Sequence, residues 1–189
     1  MSDQSNQVGS GNSKASGRRR FVRGVGIATP VILTVASRSA LARTCLSPSA
    51  QASVALDSSR PDRLRSECFG LSPGYWKNAA EPQHPNHGSW IASSAEGKYF
   101  SVIFGASGFP GKTLREVLRL KGSEDPSMLG AHLCAAWCNL QTGKTPSVIL
   151  SLQTMKAMWD GRTGSYQPVP GVFWGAPQIV EFIKTTFSG

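Results

Sequence analysis

From Thr113 to Phe187 the chain repeats one pattern: a capping residue or proline, an apolar stripe at helical spacing, then a break. "TLREVLRL" places Leu114, Val117 and Leu118 on one face, and Gly122 stops it. Asp125 as N-cap and Pro126 in the first turn predict a second helix to about Leu140. Its stripe is Leu129, Leu133, Ala136, Trp137 and Leu140, and Gly143 ends it. Thr145-Pro146 repeats the start signal, with Val148, Leu152, Met155 and Trp159 on the inner face and Gly161 at the end. "GSYQPVPGVFWG" reads as a loop with an apolar tip. Pro177 opens a last helix that turns Ile179, Val180, Phe182, Ile183 and Phe187 inward. Four amphipathic helices predict an all-α domain, a small bundle over residues 68–189. Helices this short need tertiary packing to persist, and the five tryptophans supply buried area.

The segment before these helices is rich in loop signals. Residues 43–67 carry many Ser, Arg and Asp and read as an extended or flexible arm. Cys68 to Trp90 is crowded with Gly, Pro, Asn and His, with one short helical turn near Trp76–Ala80. "KYFSVIF", Lys98 to Phe104, fits a short helix slightly better than a strand.

Residues 1–42 differ again. Met1 to Gly17 has almost no apolar content. "GRRRFVR" then carries Arg18, Arg19 and Phe21, followed by the modest apolar stretch Val25–Ala36. That stretch is shorter than the ~20 residues a bilayer span needs and suits a signal-peptide core. Ala40-Leu41-Ala42 fits a small-x-small cleavage site, with a cut after Ala36 as the alternative. The arginine pair, the aromatic and the base that follow resemble a twin-arginine export signal, which is an address and not an anchor. Gly17 stands where such signals carry Ser or Thr. The resemblance implies a translocase and a signal peptidase as transient partners and a periplasmic or secreted product. Six of the 20 bases and one of the 11 acids lie in this leader, so it holds +5 of the net +9. The basicity is therefore poor grounds for a nucleic-acid partner. The mature chain is expected to have no stable membrane anchor.

Four cysteines, Cys45, Cys68, Cys134 and Cys138, follow the expected cut, an even count that suggests two disulfides in an exported chain. Cys134 and Cys138 sit one helical turn apart with near-parallel side chains, about 5–6 Å between Cβ atoms. That is too far for a bridge. Each is expected to receive Cys45 or Cys68, in an order left open, at ~2–4 kcal/mol per bridge. The alternative is a zinc or copper site built from Cys134, Cys138, His132, His84 and His87, since thiolate and imidazole suit those metals. Against it, His132 points about 200° away from Cys134 around a helix. No cofactor is expected in the leading reading.

"LSPGYWKN", Leu71 to Asn78, resembles the Gly-Tyr-Trp-Lys-Asn signature of a scattered group of exported and surface bacterial proteins. Cys68 before it, Phe104-Gly105, the Thr113–Leu118 helix and Ala135-Ala136-Trp137-Cys138-Asn139 match features that accompany the motif. Ala79-Ala80 stand where the group has His-Pro, so no role for that histidine carries over. The resemblance implies location and architecture, not an activity. Tyr75, Trp76 and Trp90, with Lys77 and Asn78, could form an aromatic platform for a sugar or peptide; core packing is the competing role. No hydrolase elbow, zinc-protease motif or phosphate loop is present. These features predict an exported binding or structural module of the cell envelope, engaging a protein or glycan surface. A periplasmic metal or redox protein is the first alternative. A hydrolase using the His84/His87 loop is the second.

Overall fold

Two antiparallel strand pairs overturn the all-helical expectation. The computed structural model describes residues 43–56 and 66–188, which hold eight helices and four strands. The signal positions Arg18, Arg19, Phe21, Ala40 and Ala42 lie outside the described residues. Strand β1 (Arg43–Cys45) pairs with β2 (Ser66–Cys68), Arg43 opposite Cys68 and Cys45 opposite Ser66. Helix α1 (Pro48–Leu56) follows β1, so the arm expected over residues 43–67 is in part regular structure. Its signal was weak because "PSAQASVAL" has no apolar stripe. Alanine propensity, Pro48 at the start and Ser47 Oγ accepting from Ala50 N at 3.3 Å form it instead.

Helices α2 (Pro73–Ala79), α3 (His87–Ala92), α4 (Phe100–Phe104) and α5 (Leu114–Val117) are short and locally capped or packed. Ser72 Oγ accepts from Tyr75 N at the head of α2. At α5, Glu116 N donates to Thr113 Oγ1 and Thr113 N donates to Glu116 Oε2, a capping box. The Thr113 N–H and the Thr113 hydroxyl, both donating to Oε2, hold the Glu116 carboxyl below its ordinary pKa.

Helix α6 (Leu129–Gln141) is the axis. Leu129 through Asn139 are all buried, the mark of a core helix with no solvated face. Helices α2, α5, α7 (Leu152–Asp160) and α8 (Ala176–Lys184) pack around it. In α8 the expected Ile179, Val180, Phe182 and Ile183 face inward, and Phe187 beyond it is buried too. Helix α7 starts six residues after Pro146, with Ser151 Oγ accepting from Thr154 N at 3.0 Å. Ile149 and Leu150 are buried in the turn before it, while Val148, expected on the inner face, is 73% exposed. Between α7 and α8 the expected loop is a hairpin, β3 (Thr163–Val169) with β4 (Val172–Gly175). Val169 pairs with Val172 across Pro170-Gly171, and Gly171 has φ 81°, as a Pro-Gly type II turn requires. Register shifts on both sides of Tyr166 break the alternation that would have marked a strand.

Candidate functional site

The cysteine pairing differs from the expectation. Cys45 bonds Cys68, clamping β1 to β2, and Cys134 and Cys138 are buried thiols on α6. The register pairs Cys45 with Ser66 and Cys68 with Arg43, so the two cysteines lie diagonally across the strand pair on one face, Cα atoms 5.9 Å apart, which no pattern in residues 43–68 announced. Burial pushes the Cys134 thiol well up, with Cys138 beside it adding to the shift. Burial likewise pushes Cys138 to about 12, against a hydrogen bond from Ser93. Such thiols are poor nucleophiles.

The alternative metal residues are dispersed. His84 Nδ1 accepts from Asn86 N at 3.2 Å, His87 Nδ1 donates to Ala79 O at 2.9 Å, and His132 Nδ1 donates to Met128 O at 2.7 Å. His132 stacks on Phe187, facing α8, and burial lowers its pKa. Among the described residues no three His, Cys, Asp or Glu side chains gather as a ligand group.

The aromatic platform does not form either. Trp76 and Trp90 are fully buried, and Tyr75 is half-buried with its hydroxyl on Ser89 Oγ at 3.1 Å. Lys77 and Asn78 are exposed on α2 without an open ring beside them. The motif instead ties the chain to the C-terminal end of α6. Asn139 Oδ1 accepts from Leu71 N at 2.8 Å and from Trp76 Nε1 at 2.9 Å, and its Nδ2 donates to Leu71 O at 2.9 Å. Trp90 Nε1 donates to Glu96 Oε2.

The opposite end of α6 opens onto a recess of about 270 Å³. Ser107, Gly108 and Phe109 form one wall, Glu124 to Ser127 with Leu129 a second, and Trp159 with Arg162 the third. Phe100, Phe104, Phe109 and Trp159 make one aromatic cluster beneath it, with Phe100 edge-on to Phe109 and Trp159 at 5.1 and 4.9 Å. Two glycines let the rings close up. A Cβ on Gly108 would lie 2.5 Å from Trp159 Cζ2, and one on Gly130 would collide with Phe109.

Phe109, in the recess wall, holds left-handed backbone at φ 40°, and Met128, between the lining residues Ser127 and Leu129, does so at φ 57°. Such strain persists only where the surroundings impose it, and it concentrates at binding sites. Met128 occupies the N-cap position of α6 without a side-chain cap. Asp125, expected to be that N-cap, lies three residues earlier and reaches Ala131 N with Oδ2 at 3.1 Å. Helix α6 thus begins at Leu129, and Asp125 lines the recess.

Arg162 lies over the Trp159 ring, Cζ 4.1 Å from its centroid. Its Nη1 donates to Trp159 O at 2.7 Å and its Nη2 reaches Ser107 O at 3.5 Å. Trp159 Nε1 is buried with no hydrogen-bond partner. No family model, curated protein or solved structure matches this chain. Geometry alone therefore supports a function, and it singles out residues that the sequence reading used for other ends: Phe109 in a loop, Asp125 as a cap, Trp159 as core. The one local signal was Trp-Asp-Gly-Arg, an arginine three residues past a tryptophan at a helix end.

Proposed function

We propose that this chain is an exported binding module, fastened by one disulfide, whose small ligand occupies the recess at the N-terminal end of α6. The observation that carries the reading is the recess itself. Phe109 with its strained backbone, a buried carboxylate and a stacked guanidinium line it, and strained Met128 sits between the lining residues Ser127 and Leu129. Such a set is costly to keep in a small domain unless it is used. Export is supported by the arginine-pair leader, the small-x-small site and a bridge near the expected mature N-terminus.

Two measurements test it. Protein recovered from the exported fraction should begin at Arg43 or Ser37, and reduction should add the mass of two hydrogens. Full-length, fully reduced protein confined to the cytosol overturns the export half. For the binding half, native mass spectrometry is run with free amino acids, sugar acids and neutral saccharides in turn. An adduct that disappears in Ser107→Trp, which plugs the exposed rim, supports the site. No adduct from any class overturns it.

A further inference from the structure

Resting on that reading, we propose that the recess takes a free α-amino acid, its carboxylate on Arg162 and its ammonium on Asp125. Neither charge has an ion-pair partner among the described residues. The ion pairs among the described residues join Lys112 to Glu124, Arg115 and Arg119 to Glu81, and Lys184 to Glu181. Neither Arg162 nor Asp125 belongs to any of them.

Arg162 is immobilised by the Trp159 face and by two backbone carbonyls, which use two of its five N–H groups. A flat, pre-positioned guanidinium with donors to spare suits a carboxylate better than a mobile lysine would. Asp125 is only 5% exposed, and one of its oxygens is occupied by Ala131 N. A carboxylate this buried is stable when a cation or donors complete it. Glu124, the other acid of the lining, is already matched by Lys112 at 3.5 Å. One uncompensated cation and one uncompensated anion in the same recess select a ligand that carries both charges. The volume of about 270 Å³ holds one residue-sized molecule rather than a stretch of polymer.

Isothermal titration with the twenty L-amino acids, each also as its N-acetyl derivative and its carboxamide, tests this. At least one free amino acid should bind, and blocking either end should weaken it about tenfold or more, the worth of one charge-assisted hydrogen bond. Arg162→Gln should make the acid and its amide bind equally weakly. Asp125→Asn keeps an oxygen for Ala131 N, so the fold survives, and it should erase the difference between free and N-acetyl forms; a thermal melt confirms folding of both variants. Amide or N-acetyl forms that bind as tightly as the free amino acid overturn the assignment. Silence from every amino acid overturns it too. If sugar acids or saccharides still bind and Ser107→Trp blocks them, the recess stands as a site with another ligand. If they do not, both readings fall.

Discussion

The two ends of α6 are made from the same helix and behave as opposites. At the C-terminal end, Asn139 closes three hydrogen bonds with Leu71 and Trp76, and Gly70 O receives Ser188 N at 2.7 Å, sealing the chain terminus onto the motif segment. One buried hydroxyl, Thr145 Oγ1, stays unmatched there. At the N-terminal end the helix starts from a left-handed methionine, and Asp125 and Arg162, which form no ion pair among the described residues, line a recess. The contrast teaches where stability and chemistry reside. A satisfied buried network fixes one end, and that lets the other hold strained backbone and unmatched polarity.

Breaking the satisfied end should have the largest effect. Asn139→Ala leaves the buried Trp76 indole N–H and the half-buried Leu71 N–H and C=O without their partner, so a loss of about 2–3 kcal/mol is expected by urea denaturation. A loss under about 1 kcal/mol would mean that the network is not what holds this end. The strained end should respond in the other direction. Met128 is 48% exposed, so Met128→Gly loses little packing and relieves the left-handed penalty. A gain of about 0.5–1 kcal/mol in the same assay is expected. Destabilisation would show that Met128 holds the recess by its side chain instead.

The smallest effect concerns His132, on α6 between the two ends. Burial lowers its pKa, joined by Lys184 and opposed by the Met128 carbonyl, Asp125 and Glu181. The unfolded chain takes the proton near pH 6.5 while the folded one resists it, so stability is complete above that pH and declines as pH falls below it. Glu81, held low by Arg119 and Arg115, and Glu116 add their own losses only in the carboxylate range. Equilibrium unfolding between pH 7 and 5 should therefore show a slope that His132→Gln removes.

The satisfied end was partly legible in the sequence, and the strained end was not. Periodicity found α5, the inner stripe of α6 and the buried face of α8, because apolar residues recur with the helical turn. It failed at α1, whose alanines and serines carry no stripe, and at β3–β4, where bulges and prolines hide the alternation. The recess escaped for a different reason. Its parts come from the loop at Ser107–Phe109, the turn at Glu124–Ser127 and the end of α7, which are joined only by long-range packing. A left-handed methionine has no sequence signature, and with Asp125 read as the N-cap, nothing marked its second role. An even cysteine count points to two bridges into α6, but pairing β1 with β2 brings Cys45 and Cys68 together diagonally and leaves Cys134 and Cys138 as thiols.

Sealing two sulfhydryls inside α6 has a consequence for how the molecule matures. In the proposed export after folding, the buried Cys134 and Cys138 are never shown to the oxidant outside, and the Cys45–Cys68 crosslink is the one within reach. Threaded across as an open strand, the same polypeptide would offer four sulfurs at once, and every way of pairing all of them consumes the two that the finished interior needs reduced.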